Sequence, residues 1–297
     1  MSKELVIALG FFDGVHLGHA ALLRRTVEVA KERGCQSAVF TFTLPPKEVV
    51  TGIPCPLINT PTDRKRLLQE VYGIDQVIMA PFDQTMMTTS WQDFVTELLI
   101  KQHHGVHFVA GHDHHFGHKN QGSPQLLAEL CKTLHIGCDI VDKVELEGIT
   151  VSSTYIRKLV EMGQMERACA FLGHPHVLTQ QVQHGRKIGH TIGIPTVNLT
   201  IPPHLLEPAY GVYTTKVHLP DGRNFMGVTN VGKRPTVNNG TDTTVETWLL
   251  DFDEDLYGQV LQVAFYQRLR DEIRFDSLDT LRSQIQSDAN RVRDYFA

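Results

Sequence analysis

The sequence has few cysteines, little excess charge and no long hydrophobic run. Its five cysteines are an odd number and include no CxxC pair. This argues against a disulfide framework or a zinc site and is typical of reduced thiols in a cytoplasm. A formal net charge of -5 does not favour nucleic acid or an anionic membrane as a partner. No segment reaches the roughly 18 consecutive apolar residues of a membrane span.

The composition is that of a globular protein. Of the 297 residues, 41% are hydrophobic and 21% are charged, which suits one large domain or two ordinary ones. Strand-like sequence starts close to the first residue, so we expect no signal peptide and a cytoplasmic protein.

The first half alternates short apolar runs with amphipathic segments. This rhythm predicts βαβ units around a parallel sheet, a Rossmann-like α/β domain. Ser90 is the predicted N-cap of one helix. The predicted strands are 5–9, 36–42, 75–80, 106–111 and 137–142, and the predicted helices are 17–33, 62–73, 90–102 and 124–135.

The rhythm changes near residue 175. Two short helices, 152–163 and 165–173, are predicted to close the first half. After them come short strand-like runs and a last helical segment, which predict an antiparallel β-barrel with a terminal helix. We expect domains at 1–172 and 178–297. The strand-like runs are 177–183, 196–201, 211–219, 224–232, 245–252 and 258–266, and the last helix is 278–296.

The segment "GFFDGVHLGH", residues 10–19, connects the first strand to the first helix. Free N–H groups at a helix start attract anions, and glycines allow a phosphate to approach the backbone. His16 and His19 fall on one side of the first helical turn. The segment therefore predicts a site for a phosphate chain, although a purely structural turn is the alternative. A second polar segment, 111–122, follows another strand and is expected at the same edge of the sheet.

The run 10–19 resembles the signature of the HxGH nucleotidyltransferase superfamily, in particular the flavin adenylyltransferase module. "GHDHHFGHKNQG" (111–122) and "VSSTYIR" (151–157) are similar to two further motifs of that module. The resemblance implies catalytic roles for His16, His19 and Arg157, with the histidines stabilising charge on an α-phosphate. A plain helix N-cap is the alternative for 151–157. The nucleotide- or flavin-binding residues that it implies are Gly10, Phe12, Asp13, Gly14, Gly18, Asp113, Ser153 and Thr154.

The second half resembles riboflavin kinase, through segments that match in order. These are 185–199, 211–213, 227–236, 245–252, 255–258, 269–275 and 283–295. The resemblance implies that Glu246 is the general base, that Thr196 and Asn198 bind ATP and hold Mg²⁺, and that further binding residues are Gly185, Gly189, Gly193 and Arg234. Pattern alone would favour a solvent-facing strand residue for Glu246 and a surface hairpin for the glycine-rich segment.

Together the two halves resemble the prokaryotic bifunctional riboflavin kinase/FAD synthetase family. The resemblance implies ATP as co-substrate, riboflavin, FMN and FAD as substrates and products, and Mg²⁺ as the metal. We expect small-molecule partners, no nucleic acid and no membrane, while an oligomer is compatible with the sequence. A nucleic-acid-binding barrel would need a basic groove with stacking aromatics, which the second half lacks.

Several positions depart from the family pattern. Pro45 stands where a histidine is usual, His114 and His115 replace an aromatic and a basic residue, and His190 replaces an arginine. The alternative function is therefore a chain that keeps one activity, with the first half weak or serving as a flavin-nucleotide binding module. The histidines of 112–118 are expected in a solvated or nucleotide-facing loop rather than a zinc site, because adjacent loop histidines do not form a tetrahedral set.

Overall fold

The computed structural model describes residues 4–183, 194–235 and 241–297. The chain divides into two compact units. The first contains Met1–Leu57 and Arg64–Ser153, and the second contains Ile58–Asp63 and Thr154–Ala297. The domain limits expected from the sequence, 1–172 and 178–297, stay a prediction.

The first unit is built on a parallel five-stranded sheet, as the alternating pattern predicts. Its order is β3-β2-β1-β4-β5. Alternate residues of β1 contribute to two different hydrophobic clusters, one containing Leu5 and Ile7 and the other Val6 and Ala8. The strand is therefore covered on both faces, which explains its uninterrupted apolar sequence. The strands are β1 (Leu5–Leu9), β2 (Gln36–Phe42), β3 (Gln76–Ala80), β4 (Gly105–Gly111) and β5 (Gly137–Val141), with a small hairpin of β6 (Glu145–Leu146) and β7 (Ile149–Thr150).

The helices up to residue 172 agree with the sequence pattern where they are long. Ser90 caps its helix as predicted, since its hydroxyl accepts from the Asp93 N–H at 3.0 Å. Two helices continue as π-helix, at Leu67–Val71 and Phe94–Gln102. The α-helices are α1 (Leu17–Arg33), α2 (Pro46–Thr51), α3 (Pro61–Arg66), α4 (Gln84–Thr88), α5 (Trp91–Asp93), α6 (Pro124–Thr133), α7 (Ser153–Glu161) and α8 (Met165–Leu172), and a 3₁₀ turn spans His118–Asn120.

The second unit is an antiparallel six-stranded sheet that closes into a near-barrel, as predicted. Its order is β8-β13-β10-β11-β12-β9. Gln183, two residues beyond β8, forms a bridge to Asn198 of β9, the strand at the other edge of the sheet. The predicted last helix, α9 (Leu278–Phe296), is confirmed and begins at a Ser277 capping box. The strands are β8 (His176–Gln181), β9 (Val197–Thr200), β10 (Gly211–His218), β11 (Asn224–Pro235), β12 (Thr241–Leu249) and β13 (Val260–Arg270).

The terminal helix packs on the outside of this near-barrel. Ala289 and Val292 of α9 join a hydrophobic cluster with Val212 and Leu269 of the sheet. The helix therefore covers one face of β10 and β11 and forms a wall beside the polar side chains of the same face.

Candidate functional site

The turn after β1 has an unusual backbone. Phe12 and Val15 adopt left-handed φ angles of 56° and 41°, and Gly14 lies between them at 79°. A non-glycine residue there is strained, and such strain clusters at functional sites. Asp13 is 1% exposed, and its carbonyl accepts a hydrogen bond from the Ser153 hydroxyl at 2.9 Å. The turn is thus held in place by the burial of Asp13 and by its hydrogen bond with Ser153 at the start of α7.

The two histidines of this turn lie against each other. His16 is the N-cap of α1, and its Nδ1 accepts from the His19 backbone N–H at 3.3 Å. The neutral His16 ring therefore carries its proton on Nε2. The rings are stacked, with centroids 3.6 Å apart and planes 12° apart. Gly18 permits this arrangement, since a Cβ there would lie 3.1 Å from the His16 ring.

His19 is held as a neutral ring. Burial lowers its pKa well below the usual value, and the nearby His16 and the Arg64 guanidinium lower it further. Its Nδ1 is buried, with no hydrogen-bond partner. A neutral imidazole at a helix N-terminus donates hydrogen bonds to phosphate without itself taking up a proton.

The segment after β4 reaches the same place, as expected from the neighbouring positions of β1 and β4 in the sheet. A cavity of about 670 Å³ brings most of the predicted residues of this unit together. It is polar at the helix start and at the loop after β4. Its predicted lining residues are Gly10, Phe12, His16, Gly18, His19, Asp113 and Ser153.

An aromatic cavity of about 180 Å³ adjoins it. Gly10, His114 and His115 line both cavities. Burial lowers the pKa of His114 to about 4, and its ring stacks on Phe116 at 5.5 Å. His114 is thus neutral and acts as a further aromatic wall. Apolar and aromatic residues complete this cavity, among them Phe11, Phe40, Phe42, Phe82 and Phe94.

Four further predicted residues take other places. Asp13 and Gly14 belong to the turn itself, beneath the cavity wall. Thr154 and Arg157 lie on α7, in the part of that helix that belongs to the second unit. Pro45, the departure from the family pattern, is the N-cap of α2.

The second unit arranges its polar residues in a row across the sheet. Glu246 of β12 lies directly opposite Asn198 of β9 on one side and Asn230 of β11 on the other. Directly opposed residues in an antiparallel sheet point to the same face. Asn230 lies in the segment 227–236 that resembles the kinase family, but no role was predicted for it, because this row exists only once three strands have paired.

Glu246 faces a cavity of about 290 Å³ whose walls are mostly apolar. Thr196, predicted with it, lines the same cavity. Three other charged groups line it: Arg270, Asp288 and Glu272, the last of which accepts a hydrogen bond from the Asn230 amide at 3.0 Å. Trp248, Ile273 and Phe275 are among its apolar walls.

Arg270 is held in place by a buried ion pair. Asp288 of α9 is 0% exposed and lies 2.8 Å from the Arg270 guanidinium. Gln284 donates to the same carboxylate at 3.1 Å. Residues 269–275 match the family in sequence, but neither Arg270 nor Glu272 has a role predicted from the pattern.

Thr196 also lines a second cavity of this unit, of about 500 Å³. Phe252, Tyr257 and acidic side chains of the segment 253–255 form part of its wall. A residue on the wall of two cavities can contact two bound molecules at once, one that donates a chemical group and one that accepts it.

Asn198 fits the metal-ligand role that the resemblance implies. Its Oδ1 is buried and has no hydrogen-bond partner, and amide and hydroxyl oxygens are hard ligands of the kind that Mg²⁺ accepts. Across the described residues, no group of three or more histidine, cysteine or acidic side chains is placed to hold a metal ion.

The remaining predicted residues cannot be placed. Gly185, Gly189, Gly193 and His190 lie outside the described residues, and so does the side chain of Arg234.

Comparison with known proteins identifies the family. Residues 1–155 match the family model for FAD synthetase, and residues 172–296 match that for riboflavin kinase. Proteins named bifunctional riboflavin kinase/FMN adenylyltransferase are similar over 98% of this chain: those of Listeria monocytogenes (34% identity, 92% of the relative covered), Haemophilus influenzae (35%, 94%) and Escherichia coli K12 (35%, 92%).

The chain belongs to the bifunctional riboflavin kinase/FMN adenylyltransferase family. It contains both enzyme domains of that family, and the family prediction made from the motifs is confirmed. A crystal structure described as a macrolide-efflux protein of Streptococcus pneumoniae is 30% identical, with a TM-score of 0.87, and covers 99% of this chain and 95% of its own. That description stays with the pneumococcal protein. Within the described residues, no helix combines the length and apolar character needed to cross a membrane.

Proposed function

We propose that this chain makes FAD from riboflavin in two ATP-dependent steps. The second unit transfers the γ-phosphoryl group of ATP to the 5'-hydroxyl of riboflavin, giving FMN and ADP. The first unit transfers the adenylyl group of a second ATP to FMN, giving FAD and pyrophosphate. The observation that carries the proposal is that each unit holds its own set of reactive groups. The first has the stacked His16 and His19 at a helix start, and the second has Glu246, which pairs with Asn198 across the sheet and faces a cavity.

In the kinase step, Glu246 accepts the proton of the riboflavin 5'-hydroxyl as that oxygen bonds to the γ-phosphorus. The bond from the γ-phosphorus to the bridging oxygen breaks, and ADP leaves. The apolar cavity with Trp248 and Phe275 suits the flat ring system, because aromatic walls stack well on it. Thr196 lines both cavities, which supports binding of riboflavin in the smaller one and ATP in the larger one.

Magnesium belongs to this step. Thr196 and Asn198 would hold the ion, and the buried Asn198 Oδ1 without a partner supports that role. When bound, Mg²⁺ neutralises charge on the phosphates and orients them for transfer. The protein contributes the position of the hydroxyl and the acceptor for its proton.

In the adenylyl step, a phosphate oxygen of FMN attacks the α-phosphorus of ATP and pyrophosphate leaves from the opposite side. The free N–H groups at the start of α1, together with His16 and His19, stabilise the charge that develops on the α-phosphate. The larger cavity, with Asp113 and Ser153 on its wall, binds ATP. The aromatic cavity beside it, including the neutral His114, suits the isoalloxazine ring of FMN.

We also propose a cytoplasmic location and Mg²⁺ as the working metal. All five cysteines are free thiols, which suits a reducing compartment. For the adenylyl step, the binding roles of Thr154 and Arg157 and that of the Asp13 turn rest on the family motifs.

Product analysis tests the proposal. The purified chain is incubated with riboflavin, ATP and Mg²⁺, and separately with FMN, ATP and Mg²⁺, and flavins are separated by chromatography. FMN and FAD from riboflavin, and FAD from FMN, are expected. FMN alone would support the alternative in which the first unit only binds flavin nucleotides. Unchanged riboflavin would contradict the kinase assignment.

A further inference from the structure

Arg64 is a charged side chain with no exposed surface. It is 0% exposed and is the largest fully buried side chain among the described residues. Nothing in its sequence context, "PTDRKRLL", distinguishes it from the ordinary basic residues of a surface helix. Neither the motifs nor the proposed mechanism gives it a role.

The guanidinium group joins the ends of two neighbouring strands. One terminal nitrogen donates to the Phe11 carbonyl at 2.9 Å, and the other donates to the Phe42 carbonyl at 2.5 Å. Phe11 lies just after β1, within the turn that leads to His16, and Phe42 is the last residue of β2. The Thr41 hydroxyl donates to the same Phe11 carbonyl at 2.8 Å. The guanidinium carbon also lies 4.5 Å from the centre of the Phe11 ring.

Burying the Arg64 guanidinium costs folding free energy, because the cation loses its hydration. Burial lowers the pKa of Arg64 to about 10, so the group stays charged at neutral pH. Within the described part of the chain no ion pair of Arg64 is found, and its Nε has no hydrogen-bond partner. An apolar side chain of similar size fills such a place without the desolvation cost of a cation.

The positive charge of Arg64 interacts with two residues of the turn, His19 and Asp13. The Arg64 guanidinium helps to lower the pKa of His19, after burial and His16. The Asp13 carboxylate is close enough to raise the pKa of Arg64 against the effect of burial. A fixed positive charge therefore lies beneath the turn that carries both histidines.

We propose that Arg64 is a positioning residue for adenylyl transfer, which clamps the ends of β1 and β2 so that the turn holds His16 and His19 in their reactive arrangement. The inference rests on the proposed FAD-forming function of the first unit. It adds a residue outside the family motifs and outside both cavity walls. Its action is indirect, through the Phe11 carbonyl and through the electrostatic potential at His19.

Two substitutions separate the clamp from the charge. Arg64→Lys keeps the charge but loses the two-pronged contact, and Arg64→Met keeps the length but loses both. Arg66→Met is the matched control, since Arg66 lies on the same helix with a partly exposed side chain that pairs with Glu70 at 3.0 Å. FAD formation from supplied FMN is measured across pH, and FMN formation from riboflavin reports a folded chain.

We expect Arg64→Met to lower kcat for FAD formation roughly 10²-fold, the effect of a small misplacement of catalytic groups, with FMN formation within twofold of wild type. Its loss of activity in acid should also move to higher pH, because His19 protonates more easily without the neighbouring cation. Arg64→Lys should lower kcat but keep the wild-type pH profile. Arg66→Met should change neither quantity.

Arg64→Met with FAD formation within threefold of wild type, or with an unchanged pH profile, would overturn the proposal. If that variant does not fold, Arg64→Lys decides: a wild-type kcat would refute the clamp. The wild-type rate with FMN tests the proposed function separately, so a wild-type chain that makes no FAD counts against that function and not against Arg64.

Discussion

The imidazole rings of His16 and His19 stack with 3.6 Å between their centroids. Two protonated rings at this distance would repel strongly, and burial further opposes a charge on His19. His19 is therefore a neutral ring at neutral pH, stacked on the ring that caps the helix. Neutral donors beside the free N–H groups of a helix start can bind a phosphate chain in a steady orientation while negative charge builds up on it.

His19→Ala should abolish formation of FAD from FMN and leave formation of FMN from riboflavin unchanged. The reason is that His19 lies in the cavity of the first unit, whereas Glu246 lies in the second. Both activities are measured on the same preparation by flavin chromatography. Loss of both activities in a folded variant would contradict a model with two independent sites.

Glu246→Gln should show the opposite behaviour. It keeps size and packing but removes the proton acceptor, so phosphoryl transfer should fall by roughly 10²–10⁴-fold. The lower end is expected, because a loose transition state needs little help from a base. Riboflavin binding should change little, and FAD formation from FMN should continue.

Glu272→Gln is the comparison for that variant, since Glu272 is another carboxylate on the same cavity wall and, unlike Asp288, is not ion-paired with Arg270. We expect a changed KM for riboflavin with a kcat within a few-fold of wild type. A Glu246→Gln enzyme with near wild-type FMN production, beside a large kcat loss in Glu272→Gln, would move the base to Glu272.

Removal of divalent metal should stop FMN formation, and Mg²⁺ should restore it. Asn198→Ala should raise the Mg²⁺ concentration needed for half-maximal rate, because the buried Oδ1 that fits the ion is gone. The measurement is a Mg²⁺ titration of the initial rate after chelation. Stoichiometric zinc in untagged protein, with loss of folding on chelation, would refute Mg²⁺ as the only required metal.

The stability of the second unit should fall in mild acid because of His176. This ring is 1% exposed, and burial lowers its pKa to about 4, whereas a histidine in the unfolded chain titrates near 6.5. Below pH 6.5 the unfolded state binds the proton and the folded state does not, so stability is present above that pH and is lost as pH falls towards 4. Between pH 7.5 and 5 the loss is roughly 2 kcal/mol.

Urea unfolding at these two pH values measures that loss. In a Trp91→Phe background, Trp248 reports the second unit alone, because the sequence has only these two tryptophans. His176→Gln should reduce the difference between pH 7.5 and 5, although it lowers stability at both. If His176→Gln loses as much unfolding free energy between pH 7.5 and 5 as the parent chain, His176 is excluded as the cause of that loss.

Much of the fold could be predicted from local patterns. The bounds of α1, β2 and α9 agree with the sequence prediction, because a long amphipathic period or an uninterrupted apolar run carries its own signal. The same holds for the Ser90 cap. The helices α2 and α4 and the β6–β7 hairpin were missed, since elements this short show too few residues for a period to be recognised.

For the sites, local sequence establishes which chemical groups are available and which segments carry them: His16 and His19 at a helix start, and Glu246 on a strand. Tertiary structure decided which of them meet. Asn230 and Asn198 flank Glu246 only through strand pairing, and Thr196 touches two cavities only because of where β9 begins. Arg64 shows most clearly what local sequence cannot predict, since its burial depends on carbonyl groups 53 and 22 residues away in the chain. Burial and electrostatic potential are sums over residues far apart in sequence, and no local window contains them.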